Sequence, residues 1–272
     1  MSLLDLVPTC AIIPEGPFLM GTPDAERSAL AKRYGGTRES YAEESPQHEV
    51  YLPAFAMMCV PVTNRLYAQF VDASGAHVPV TWHGATMPPE LVDHPVVDVS
   101  WYDALAFANW LSRVTGMRWE LPSEAQWEKA ARGVDGRRFP WGNTFDAAYC
   151  NVRESGHAGT TPVGCYAAGA SPYGLLDMAG NVWEWTRSCQ APYPYVEDGR
   201  NRVDLPTVQG GLRARIAAHL RRSAPDTPLD TRRVLRGGCY ANPEGFARCA
   251  CRFRLAPTSR TPFLGFRLVR AA

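Results

Sequence analysis

Apolar and polar positions along the first half of the chain recur at spacings that predict regular elements. Residues 12–20 read as a strand entered by a Pro-Glu-Gly turn. Residues 24–34 read as a short helix on a loop, 43–46 as a polar turn and 48–52 as a strand. Over 63–74, Leu66, Phe70 and Val71 recur at helical spacing behind Thr63 as cap. The Pro-rich stretch 77–95 reads as loop. The clearest helical signal covers 98–115, where Ser100 caps, Asp103 follows three residues on, and Ala104, Phe107, Ala108 and Leu111 make one face. Gly116 then stops it. A second helix is predicted over 123–132, with Ser123 as cap and Gln126 three later. After Gly133 the periodicity fades into Gly, Pro, Asn and aromatics. Short strands are predicted at 182–185 and 234–237, and a closing strand at 266–269. Residues 209–222 are Arg-rich and amphipathic, an expected helical insert. No linker or internal repeat interrupts the chain. The expectation is one α+β domain over 1–272, with an insert at about 196–233.

Composition narrows the class. Apolar residues make up 46% of the chain, as in a folded protein, and the net charge is +1. No global field pulls in nucleic acid, so no nucleic-acid partner is expected. No apolar run is long enough to span a membrane, and the N-terminus shows no secretory pattern. The expected location is cytoplasmic, with export or surface display by another route left open. Eight cysteines show no paired Cys-x-x-Cys spacing for zinc and are too few for a disulfide scaffold, so mostly buried free thiols are expected. The six histidines are scattered without ligand spacing, and no nucleophile elbow, P-loop or dinucleotide fingerprint is present.

Several segments carry more than composition. They are Pro14-Glu15-Gly16-Pro17-Phe18-Leu19-Met20-Gly21, Glu44-Ser45-Pro46-Gln47-His48, Pro61-Val62-Thr63-Asn64 and Pro95-Val96-Val97-Asp98-Val99-Ser100-Trp101. Leu121-Pro122-Ser123-Glu124-Ala125-Gln126-Trp127-Glu128, Phe139-Pro140-Trp141-Gly142 and Tyr173-Gly174-Leu175-Leu176-Asp177-Met178-Ala179-Gly180-Asn181-Val182-Trp183-Glu184-Trp185-Thr186 follow, then Arg236-Gly237-Gly238 and Gly265-Phe266-Arg267. On their own, the tryptophans imply large buried area and the glycines tight turns. Glu128 and Glu184 beside tryptophans read as buried arginine partners or metal ligands. In this order the segments resemble the formylglycine-generating enzyme (sulfatase-modifying factor) family, from about residue 11 to 270. The resemblance implies a C-type lectin-like fold, low in regular structure, with a small antiparallel sheet near the end.

The resemblance also implies chemistry to look for. Catalytic members oxidise a cysteine to formylglycine and bind copper through two cysteines shortly after Arg-Gly-Gly. The matching positions here are Asn242 and Ala247. Cys239, Cys249 and Cys251 lie nearby at other spacings; Cys249 and Cys251 would share one face of a strand. The copper pair is thus not found, and an enzyme is the less favoured reading. Family members often hold structural calcium, which takes oxygen ligands. The matching positions are Asn181 and Glu184, with Asn151 and the Val152 carbonyl, although Ser155 stands where an aspartate is expected. No cofactor is required, and a structural calcium ion is the one expected if any.

One group of relatives fits the C-terminal segment better. Variable proteins of diversity-generating retroelements use this lectin fold to display a C-terminal variable region, in which mutagenesis turns AAC codons into NNC. Framework-like Pro243, Glu244, Arg248, Arg252, Arg254, Pro257 and Arg260 are interleaved here with Cys239, Tyr240, Ala241, Asn242, Gly245, Phe246, Cys251, Phe253, Leu255, Ala256, Thr258, Ser259, Thr261, Pro262 and Phe263. NNC codons can encode every one of the interleaved residues. The expectation is a ligand-binding display protein that meets a protein or cell-surface ligand through a variable face over 239–263, with Tyr240, Phe253 and Phe263 as exposed anchors. The alternatives are a copper-dependent cysteine oxidase and a non-catalytic family member of another kind.

Overall fold

The computed structural model describes residues 7–84, 86–197 and 231–272. The expected insert at 209–222 lies outside the described residues. Three small sheets carry the β structure. The first joins both ends of the described chain. Strand β1 (Cys10–Ile13) and the last strand, β9 (Val269–Ala271), both pair antiparallel with β4 (Phe55–Met58). The second pairs β2 (Gly16–Met20) with β3 (His48–Leu52), and α1 (Arg27–Tyr34) lies between them in sequence. The third sheet has the order β7-β6-β5-β8, built from β5 (Trp183–Cys189), β6 (Arg233–Arg236), β7 (Phe253–Leu255) and β8 (Leu264–Gly265). Its pairs are antiparallel except for β5 with β8, which run parallel.

The helices form where the polar pattern says they should. Helix α2 (Asn64–Ser74) starts at Thr63, whose hydroxyl accepts the Leu66 N–H at 3.3 Å, and stops at left-handed Gly75. In α3 (Trp101–Thr115), Ser100 and Asp103 satisfy each other's backbone N–H at 3.2 and 2.8 Å. Ser123 and Gln126 do the same for α4 (Glu124–Arg132). The α3 stripe buries Trp101, Ala104, Phe107, Ala108 and Leu111 against Tyr67, Phe70 and Phe266. Trp127 of α4 lies in a second packed group with Phe55, Met178 and Cys249.

Some expected boundaries move. The single strand over 12–20 is two strands in different sheets, because Pro14 removes a donor and Gly16 turns at φ 129°. The closing strand begins at Val269 rather than 266. Residues 266–268 carry the chain from the third sheet back to the first, and the carbonyls of Phe266 and Leu268 accept from Val62 and Met58 there. The strand placed at 182–185 runs on to Cys189, and β6 starts at Arg233, inside the expected insert.

Candidate functional site

The segment 239–263 crosses one side of the molecule after the Gly237-Gly238 turn. Gly238 sits at φ 74°, and a Cβ there would come within 2.9 Å of the Phe246 carbonyl, so only glycine lets the segment fold back on itself. Of this segment only β7 and the short turn Glu244–Ala247 are regular. Its order comes from outside. Arg248 reaches Glu44 at 2.7 Å. Arg252 grips both oxygens of Glu124, at 2.8 and 2.9 Å, with its guanidinium 4.2 Å from the Tyr193 ring centroid. Arg254 pairs with Glu43, and Arg260 with Asp103, at 2.7 Å. Immediately upstream, Arg236 reaches Glu124 at 2.8 Å and Glu128 at 3.0 Å, and downstream Arg267 holds Glu184 with two nitrogens. Burial opposes charge on Arg236 and Arg248, but the facing groups outweigh it and raise both pKa values.

Backbone bonds add grip that does not depend on side-chain identity. The carbonyls of Asn242, Pro257, Thr261 and Phe263 accept from Arg153, Trp101, Asp98 and Trp183 at 2.9 to 3.1 Å. Asp98 meets this demand in a left-handed conformation, φ 57°. Between the clamps, Ala241, Phe246, Phe253, Thr258 and Pro262 are exposed, and Tyr240, Asn242, Leu255, Ala256, Ser259, Thr261 and Phe263 are half-buried.

Three residues expected on the contact face lie beneath it. Cys239 and Cys251 pack in the group that contains Trp183. Gly245 is buried, and a Cβ there would stand 2.8 Å from that of Tyr34, so a larger residue does not fit without moving the ring. Of the three expected aromatic anchors, Phe253 is 40% exposed, whereas Tyr240 is half-buried and Phe263 packs partly into the core. Phe246, 38% exposed, joins Phe253 instead. Both rings pack on buried Trp183, at centroid distances of 6.3 and 5.5 Å.

The thiols do not form a metal-binding pair. Cys249 and Cys251 lie on a turn closed by the Cys251 N–H on the Arg248 carbonyl, not on a strand, and they enter different packed groups. Burial pushes both thiols up to about 12 and that of Cys239 to about 11. The position matching one copper ligand, Asn242, has its side-chain oxygen taken by the Trp183 indole N–H at 2.8 Å and the Cys239 thiol at 3.1 Å. The other, Ala247, is buried in an apolar group. These residues do not fit copper.

The calcium positions divide. Glu184 is fully buried and saturated by Arg267 and by the Trp127 indole N–H at 2.9 Å, which makes it an arginine partner. Asn181 turns at φ 60°; its oxygen accepts the Thr161 N–H at 3.1 Å and its amide donates to the Thr161 carbonyl. Asn151 donates to the Gly159 carbonyl at 3.0 Å, and its buried oxygen has no partner. The Val152 carbonyl accepts from Ser155, which closes a turn where an acidic ligand is expected. With Glu184 taken by Arg267 and Trp127, these positions are left with no free carboxylate and with three neutral oxygens at most, short of the six to eight ligands that calcium takes. Among the described residues, no cluster of three or more His, Cys, Asp or Glu is arranged for a metal. Calcium therefore does not fit Asn151, Val152, Asn181 and Glu184 as they stand.

Sequence reasoning missed the carboxylates that hold the segment. Glu44 and Glu124 were legible only as motif residues, Glu43 only as part of a polar turn, and Asp103 only as part of a helix cap. The arginines of the segment were legible as framework, but not their partners.

Comparisons with known proteins agree with this architecture. The model of the sulfatase-modifying factor enzyme 1-like domain matches residues 4–272. The chain is 33% identical over 252 residues to the serine/threonine-protein kinase pkn1 of Chlamydia caviae, covering 86% of this chain but 36% of that one. It thus spans about a third of that relative's length. It is 30% identical to the formylglycine-generating enzyme of Thermomonospora curvata, over 94% of this chain and 91% of that one. Among solved structures, PvdO from Pseudomonas aeruginosa superposes with a TM-score of 0.71 at 24% identity, covering 100% and 97% of the two chains. Treponema denticola variable protein 1 superposes with a TM-score of 0.69 at 23% identity, covering 97% and 95%. Both share the C-type lectin-like fold expected for this chain. With the motif order, the two sheet-crossing ends and a family model that covers nearly every residue, the chain belongs to the sulfatase-modifying factor enzyme 1-like family.

Proposed function

We propose that this chain is a ligand-binding display protein whose C-terminal segment, residues 239–263, is a diversified contact surface on an unchanging scaffold. The observation that carries the reading is the alternation of clamp and free position. Arg248, Arg252, Arg254 and Arg260 each end on a carboxylate elsewhere in the chain, while Phe246, Phe253, Thr258 and Pro262 between or beside them are exposed. A surface can change its ligand without changing its fold only if its shape is held by residues other than those that vary. The Treponema variable protein has the same fold, so the fold is compatible with such a role. The ligand is a protein or cell-surface molecule. Sequencing the 3′ end of the gene across related strains tests this. Substitutions should concentrate in adenine-derived codons of the interleaved positions and spare the arginines, beside a reverse transcriptase and an Asn-rich template repeat. Variation spread evenly over the gene, or no such neighbours, contradicts it.

The second reading, a copper-dependent cysteine oxidase, draws on the 30% identity to a formylglycine-generating enzyme over 94% of the chain. Asn242 and Ala247 at the copper positions weigh against it. Incubation with Cu(I), oxygen and a cysteine-containing sulfatase peptide decides. A mass loss of the formylglycine type supports the oxidase, and an unchanged peptide removes it.

A further inference from the structure

The contact face is electrically quiet, and this bears on what it meets. None of the fifteen interleaved positions carries a charged residue. The arginines that punctuate them are neutralised in place. Arg252 is spent on Glu124, Arg254 on Glu43 and Arg260 on Asp103. Arg254 and Arg260 each lie within a few ångströms of one carboxylate, and buried Arg252 shares Glu124 with Arg236, so their fields are weakened within the Debye length of about 8 Å at physiological salt. Glu244, the segment's single carboxylate, is half-buried.

What the face offers instead is apolar shape. Phe246 and Phe253 both pack on Trp183, one edge-on and one tilted by 32°, and the indole N–H is already committed to Asn242. Ala241, Leu255, Ala256 and Pro262 continue the surface with small apolar groups, and Thr258, Ser259 and Thr261 add neutral hydroxyls. Exposed rings beside a buried aromatic make a raised anchor, and such anchors fill pockets on a partner.

We infer that this face docks on a protein surface that is uncharged and apolar, with a concave site that receives Phe246 and Phe253. The inference rests on the reading of 239–263 as a contact surface and adds the chemistry of the partner. An acidic glycan, a phosphorylated group or a nucleic acid needs free cations, and the arginines of this face are already paired.

A random peptide library displayed on phage, panned on the whole protein, tests it, with Phe246→Asp and Phe253→Asp as comparison baits. Each ring is 38–40% exposed and packs on Trp183, so melting temperatures are measured alongside, and Phe246→Ser or Phe253→Ser replaces any aspartate bait that melts lower than the parent. Enriched peptides should be aromatic or aliphatic and uncharged. Their affinity should change by less than about twofold between roughly 0.05 and 0.5 M salt. It should fall by about tenfold or more in either variant. Enrichment of acidic or basic peptides that still lose affinity in the variants overturns the neutral partner but leaves the contact surface standing. Peptides that bind the variants equally well, or no enrichment over the variant baits, contradict the contact surface as well.

Discussion

Helices α3 and α4 and the segment 239–263 reach a defined shape by opposite routes. The helices carry their order within their own sequence, as a cap, an apolar stripe and a glycine stop. The segment has no stripe and little regular structure, and it borrows its order from partners far away in the chain. The two routes meet at the helix starts. Asp103 caps α3 and also holds Arg260; Glu124 opens α4 and also holds Arg236 and Arg252. A carboxylate in the first turn of a helix is favoured by the backbone dipole, so it is a stable place to anchor a cation. The contrast teaches that a loop can be rigid while most of its side chains stay free, provided that its clamps are few and charged and the deepest of them buried.

Breaking the deepest clamp should cost most. Arg236→Met leaves Arg252 on Glu124 and Arg132 on Glu128 but removes the buried hydrogen bonds of Arg236 to Glu124, the Tyr193 hydroxyl and the Cys249 carbonyl, and a loss of about 3 kcal/mol is expected by urea unfolding. Thiol chemistry reports the same event. In the native protein at pH 8 the Cys249 and Cys251 thiols, at about 12, should be ionised to only about one part in ten thousand, so iodoacetamide should modify exposed Cys165 and spare both. Their labelling should rise with pH and appear readily in Arg236→Met. Labelling of Cys251 in the intact protein at the rate of Cys165 would contradict its burial.

Gly245→Ser comes next. It introduces a Cβ against Tyr34, and a loss of about 1–3 kcal/mol in thermal unfolding is expected. A neutral result would return position 245 to the contact face. Arg260→Met should cost at most about 1 kcal/mol, because its pair with Asp103 is partly open to water, and added salt should shrink the difference. The smallest effects belong to the free positions. Thr258→Asn and Pro262→Asn should stay within about 0.5 kcal/mol of the parent.

The same contrast explains how much could be read from the chain. The helices over 63–74, 98–115 and 123–132 were legible because cap, stripe and stop are local. The split at Pro14 and the late start of β9 were not, because they depend on which sheet takes each strand. In 239–263 the alternation of arginine and small residue was visible, but its meaning was not. Glu43, Glu44, Asp103 and Glu124 lie about 130 to 210 residues away in sequence, and nothing local links them to their arginines. Burial of Gly245 was equally hidden, since codon composition does not report depth, whereas burial of Cys239 and Cys251 follows the general expectation of buried thiols rather than their place on the expected contact face. For Glu184 the sequence left two readings, arginine partner or metal ligand, and Arg267 on both its oxygens selects the first.

The central claim is that the shape of 239–263 resides in its clamps and not in its free positions. It is tested most directly by two libraries scored for resistance to proteolysis. One randomises Ala241, Phe246, Phe253, Thr258, Ser259 and Pro262 together; the other randomises Arg236, Arg248 and Arg252. The account predicts that most members of the first library stay folded and that almost none of the second do. Equal survival in the two libraries, or collapse of the first, would contradict it.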